Sequence, residues 1–100
     1  MQIPAHLMQD RYWSGTLHLF MRHDKLQRFL TNQHFNFSEG TIDAPALKRL
    51  AKPWSQSERF MLDLALHLYN EQHKVNLSDM DYLDSANKAL AFEALRLRFG

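Results

Sequence analysis

The sequence predicts an all-α fold, a single-domain bundle of about five helices over residues 1–100. Two observations favour helices. Only three Gly and three Pro occur in 100 residues, which is too few for the many turns of an all-β chain. Apolar residues also recur with helical spacing, most clearly in the C-terminal half. The length fits one domain, and the hydrophobic fraction of 45% is ordinary for a globular chain.

The N-terminal part is the least regular. Pro4 is suited to the first turn of a helix. Residues 5–22 are predicted to form either one helix that Gly15 weakens or two short helices. Asp24 is a suitable N-cap for a further helical piece over 25–30.

The middle of the chain contains one weakly patterned segment and one short helix. Residues 32–44 are predicted to be irregular or briefly extended. Asp43 is a suitable cap for a short helix over 46–51, and Pro53 is predicted to end that helix.

Residues 57–70 are predicted to form a central helix. Ser55 and Ser57 both lie where an N-cap belongs, and Glu58 places a negative charge in the first turn. The helix is apolar on most sides, which is typical of a buried helix. Its polar residues fall within an arc of about 80°: Arg59, Asp63, His67 and Asn70.

Residues 84–99 are predicted to form the second long helix, capped by Asp84 or Ser85. It is also apolar over a wide arc, and its alanines allow a close approach to a neighbour. Arg96 and Arg98 complement the negative end of the helix dipole. We therefore expect 57–70 and 84–99 to form the core together.

Composition excludes several classes of function. The chain has 12 Lys and Arg against 11 Asp and Glu, a net charge of +1 and no Cys. There is consequently no disulfide, thiol nucleophile or cysteine zinc site, and no general basic excess for nucleic acid. The start of the chain lacks the features of a signal peptide, and no apolar run could cross a bilayer. We expect a cytoplasmic protein without a membrane association.

A local basic cluster leaves nucleic-acid binding open as an alternative. Basic side chains of this kind can follow a phosphate backbone, although they also occur on any solvated helix face. No recognition-helix pattern accompanies them. The candidate residues are Arg22, Lys25, Arg28, Lys48, Arg49 and Lys52.

A small hydrolase or metal protein is the third alternative. Arg59, Asp63 and His67 are spaced i, i+4, so a carboxylate could orient an imidazole as a general base. No nucleophile motif accompanies this polar stripe, and the six histidines show no H-E-x-x-H spacing. We therefore assign no catalytic residue, no metal and no cofactor.

The aromatic residues favour binding to a protein. Trp13 and Trp54 lie beside predicted helix breaks, where exposure is common, and exposed Trp marks partner surfaces. The two long helices also have more apolar surface than short N-terminal helices would cover. The leading hypothesis is a non-enzymatic, regulatory or inhibitory protein-binding module, with a protein partner or a homodimer.

Three stretches resemble a family of small, functionally uncharacterised proteins from Gram-positive bacteria and their phages or plasmids. These are the segment from Phe35 to Ile42, the segment His67-Leu68-Tyr69-Asn70, and Leu83-Asp84 together with Ala89 to Gly100. The resemblance implies a bacterial or mobile-element protein that acts on a host or viral protein. It carries over no activity and no catalytic residue.

Overall fold

The computed structural model describes all 100 residues, and 59% of the chain lies in seven helices. The prediction of a mostly helical chain is confirmed. The prediction of a purely all-α bundle of about five helices is wrong, because the chain has more helices and a small sheet. In chain order the elements are α1 (Ala5–Met8), α2 (Ser14–Arg22), α3 (Asp24–Gln27), β1 (Phe35–Asn36), β2 (Thr41–Ile42), α4 (Ala44–Leu50), α5 (Gln56–Tyr69), a 3₁₀ helix (Leu77–Tyr82) and α6 (Ser85–Phe99).

The sheet is a two-stranded antiparallel hairpin, in which Phe35 pairs with Ile42. Both of these side chains are buried, and the Phe35 ring packs edge-on against Phe20 at 4.9 Å. The turn needs Gly40, whose φ of 69° suits glycine best. The hairpin forms because the paired side chains of Phe35 and Ile42 both reach the helical core. Local sequence propensity does not reveal this contact.

Capping residues fix where the main helices begin. Ser55 accepts the N–H of Glu58, and the Glu58 carboxylate accepts the N–H of Ser55, which is a complete capping box for α5. Asp43 caps α4, as predicted, and Asp84, one of the two predicted candidates, caps α6. The cap of α3 is His23 rather than Asp24, because its Nδ1 accepts two backbone N–H groups.

The N-terminal segment 5–22 forms two helices rather than one. Between α1 and α2, the carboxylate of Asp10 accepts the backbone N–H groups of Tyr12 and Trp13 at 2.8 and 3.1 Å. This turn gives α2 a direction of its own. The helix then crosses the middle of the molecule, where its Leu17, Leu19 and Phe20 are buried.

The core is built on α2 and α5, with α6 packed against its outside. Seven residues of α5 are buried, whereas Ala91 and Ala94 are the only buried residues of α6. The expectation that the two long C-terminal helices form the core together is therefore wrong. The reason lies in α6, whose apolar and polar residues are mixed around the helix, so that its sequence does not indicate which side faces inward.

Candidate functional site

The outward side of α6 carries large apolar groups and positive charge. Phe92 is 56% exposed and Phe99 is 61% exposed. They lie two turns apart on one side of the helix, and exposed Lys88 and Arg96 fall within the same arc of about 80°. We call these four residues the α6 outer face. It combines two exposed aromatic side chains with two cations and has no acidic residue.

The acidic residue nearest to this face in sequence points elsewhere. Glu93 lies about 100° from Phe92 around the helix and pairs with His18 of α2, with 2.9 Å between Oε1 and Nε2. Leu97, which is 48% exposed, also lies towards the α2 side, where it borders a shallow cavity with Met8 and Met21. The two sides of α6 therefore differ in charge, and the positive side is the α6 outer face.

A cavity of about 240 Å³ lies beside the C-terminal end of α6. The guanidinium Cζ of Arg98 is 4.3 Å from the ring centre of Tyr12 and 4.5 Å from that of Phe99, and all three residues line the cavity. The Nη1 atom of Arg98 is buried and has no hydrogen-bond partner. A strong donor is thus held between aromatic rings without an acceptor.

His67 and Glu71 also line this cavity. The Nδ1–H of His67 donates to the backbone oxygen of His73 at 2.8 Å, which fixes the orientation of the imidazole ring. Glu71 is exposed, and no carboxylate comes within 4.0 Å of the Arg98 guanidinium. The charge of Arg98 is therefore not neutralised by a neighbouring residue.

The predicted polar stripe of α5 contains no hydrogen bond between Asp63 and His67. The Nδ1–H of His67 instead donates to the backbone oxygen of His73 in the segment that follows α5. Burial raises the pKa of the Asp63 carboxyl, although Lys48 and Arg59 oppose this effect. The stripe thus consists of a half-buried carboxylate, Asp63, which lies near two cations, and of His67, which is anchored separately.

The predicted basic residues lie in two separate places. Lys48 of α4 and Lys52, which follows α4, line a groove of about 250 Å³. Arg59 and Asp63 of α5 line the same groove. The Lys48 ammonium donates to Nδ1 of His73 at 3.1 Å, and burial, followed by this cation, lowers the pKa of His73. Arg28 and Arg49 are exposed and line neither this groove nor the cavity described next.

Arg22 and Lys25 line a larger polar cavity of about 400 Å³. It lies where the beginnings of α3, α5 and α6 come together, and Glu58 and Asp84 line it as well. Lys25 is 3.9 Å from the Glu58 carboxylate. Its charge is thus largely balanced, which makes this cavity a weak candidate for binding phosphate.

The expectation that both tryptophans are exposed is wrong for Trp13. Trp13 is only 7% exposed, because its ring packs edge-on against Tyr69 and Phe37. Trp54 is half-buried against Phe29, and the Lys25 ammonium lies 5.4 Å from its ring centre. A helix break does not imply exposure here, because the connecting segments fold back over the core.

The residues that sequence reasoning missed are Phe92 and Phe99 of the outer face and the Arg98 cation. The signal that points to them is α6 itself, which has more apolar residues than one packed face can bury. The sequence predicts that Arg98 complements the helix dipole, whereas in the structure its guanidinium contacts Tyr12, a residue far away in the sequence.

No three His, Asp or Glu side chains converge in a way that could hold a metal ion. None of the helices has both the length and the apolar character needed to cross a membrane. Comparison with protein-family models, curated proteins and solved structures gives no match to this chain. The resemblance to small Gram-positive proteins consequently stays a prediction from the sequence.

Proposed function

We propose that this protein is a non-enzymatic binding module whose α6 outer face docks an acidic, amphipathic segment of another protein. The observation that carries the proposal is the exposure of Phe92 and Phe99 between two cations. Aromatic side chains dominate the binding energy of many interfaces. Apolar anchors two helical turns apart, about 10 Å along the axis, match the repeat of a docked amphipathic helix.

The charge of the face decides between this partner and a second copy of the chain. In a two-fold antiparallel pair centred on Phe92, Lys88 of one copy would meet Arg96 of the other. Centred between the two phenylalanines, the pair would bring both Arg96 residues together. Both arrangements place like charges opposite each other, which is unfavourable. An acidic segment has the complementary charge.

The size of the face sets the expected affinity. Two anchors and two cations on a single helix form an interface at the small end of the known range, below about 1,200 Å² in total. We expect a transient interaction with a Kd on the order of micromolar. The binding should weaken as salt is added, because both cations are exposed and screened.

The test uses three synthetic amphipathic helical peptides with the same apolar positions and a negative, neutral or positive net charge. Binding is measured by fluorescence anisotropy. We expect the acidic peptide to bind most tightly. Phe92→Ser should weaken that binding about tenfold or more, and Lys88→Glu with Arg96→Glu should reverse the preference for charge. Leu97→Ser is the matched control and should bind as the parent does.

Several results would overturn the proposal. One is equal binding of the acidic and basic peptides, and another is a loss with Leu97→Ser as large as that with Phe92→Ser. Sedimentation that shows a homodimer disrupted by Phe92→Ser would assign the face to self-association. A single-stranded oligonucleotide that binds this face, with no peptide binding, would assign it to nucleic acid.

A further inference from the structure

We infer that the cavity beside the C-terminal end of α6 is a binding site for a carboxylate carried on a small apolar group, with Arg98 as the recognising residue. The cavity is lined by a cation, Arg98, whose buried Nη1 has no hydrogen-bond partner in the chain. This inference does not depend on the proposed function, although Phe99 belongs to both sites.

The first step concerns the orphaned donor. Buried polar groups in folded proteins almost always have a hydrogen-bond partner, and an unsatisfied one is costly, more so when it is charged. Nη1 of Arg98 is buried and lacks any partner within the protein, whereas Nε and Nη2 of the same guanidinium are accessible. A carboxylate bound at Nε and Nη2 would compensate the shared charge of the group and so offset part of this cost.

The second step concerns geometry. The guanidinium is held 4.3 Å from one ring centre and 4.5 Å from another, so that much of its conformational freedom is already lost. Because Nη1 is buried, the edge formed by Nε and Nη2 is the part of the group that a ligand can reach. A carboxylate can accept two parallel N–H bonds from such an edge, which is the preferred pairing of Arg.

The third step concerns the size and lining of the cavity. At about 240 Å³ it is smaller than the roughly 300–1,000 Å³ of typical drug-sized sites. Its walls include the rings of Tyr12 and Phe99 and the side chain of Leu68. A carboxylate attached to a ring or to a short apolar chain would place its charge on Arg98 and its stem against these walls.

Glu71 provides an internal check, because it is the one carboxylate that lines the cavity. It lies in the turn after α5 and forms no ion pair with Arg98. It should therefore weaken the binding of an anion from outside by repulsion. Removing its charge is expected to tighten binding about two- to threefold, the size of a screened surface interaction.

The experiment titrates the protein with phenylacetate and with its neutral analogue phenylacetamide, observed by NMR of the Arg98 side-chain N–H and the Tyr12 ring. We expect phenylacetate to bind at least about tenfold more tightly, as a charge-assisted pair requires. A peptide ending in Phe with a free carboxylate, compared with its amidated form, shows whether the natural source is a small acid or a chain terminus.

Variants separate Arg98 from general electrostatics. Arg98→Met should abolish the preference for the acid, and Arg98→Lys should retain only part of it. Arg96→Met removes the same charge from an exposed position on the same helix and should leave the preference intact. Phe92→Ser should do the same, which distinguishes this site from the α6 outer face. Circular dichroism verifies that each variant is folded.

Either carboxylate source supports the inference when its binding requires Arg98. It is overturned if the acid and the amide bind equally in both pairs, if neither acid binds, or if Arg96→Met lowers affinity as much as Arg98→Met. In the last case the protein attracts anions through its overall charge and not through a specific site at Arg98.

Discussion

Replacing Gly15 by Ala tests the way in which α6 is attached to the core. Gly15 lies in α2 where that helix crosses α6. A Cβ at this position would lie 2.7 Å from the backbone oxygen of Ala94 and 3.1 Å from Cδ1 of Leu68. The Leu68 contact needs a shift of only a few tenths of an ångström, but the Ala94 oxygen belongs to a helix backbone. Relief therefore requires α2 and α6 to move apart.

The magnitude follows from two opposing effects. Ala is the better helix former and would by itself stabilise the protein by up to about 1 kcal/mol. Against this, the Ala94 oxygen must be displaced from 2.7 Å to at least 3.4 Å, where ordinary contact begins. Overpacking of this kind typically costs about 1–3 kcal/mol. We expect a net destabilisation of about 1–2 kcal/mol, or roughly 4–16 °C in Tm for a chain of this length.

Urea unfolding followed by Trp fluorescence measures the change, because Trp13 is buried and reports on loss of the core. Ser14→Ala is the matched control: it improves helix propensity at the neighbouring position without placing an atom against Ala94. The control should change the free energy of unfolding by no more than about 0.5 kcal/mol. If Gly15→Ala stabilises the protein as much as helix propensity alone predicts, the close crossing of α2 and α6 is refuted.

Two further substitutions probe buried polar groups. Thr16→Val removes the hydroxyl that donates to the Ala65 carbonyl oxygen at 2.8 Å in the core, and we expect a loss of about 1 kcal/mol in unfolding free energy by urea titration; no loss would mean that the bond is not formed. Burial lowers the pKa of His23, whose Nδ1 must stay unprotonated to cap α3. Since the unfolded chain then binds the extra proton, stability should fall as pH drops through the ordinary His value near 6.5 and towards the lower folded pKa. His23→Asn keeps an acceptor at the cap and should reduce that pH dependence between about pH 7 and 5, leaving the part due to His73, whose pKa burial also lowers; an unchanged slope would contradict this assignment.

Features decided by neighbouring residues could be predicted from the sequence. The cap of α4 is the predicted residue, and the caps of α5 and α6 are each one of two predicted candidates, because capping depends on a side chain and N–H groups two or three residues away. The hairpin was not predicted as a sheet, because its two strands are only two residues long. Such strands are stable only where the rest of the fold covers one side of them.

The Arg98 cavity and the polar stripe of α5 depend on residues that are distant in sequence, which sequence analysis could not bring together. Arg98 looked like a residue that complements a helix dipole, and only the fold brings Tyr12 to its guanidinium. The i, i+4 spacing of Asp63 and His67 was visible, but the spacing does not show that the imidazole is held by the loop after α5. Periodicity places side chains on one face of a helix without identifying what lies opposite.

The structure of α6 links its packing to its exposed chemistry. Ala91 and Ala94, together with the partly buried Leu90 and Leu95, form its contact with the core, and Gly15 allows the backbones to approach closely. Phe92 and Phe99 consequently add little to folding while exposing apolar area that favours aggregation. A helix that required only stability would place polar residues at these positions. Their presence beside Lys88 and Arg96 is what the proposed docking of an acidic segment would require, because such a segment would cover both rings and neutralise both cations at the same time.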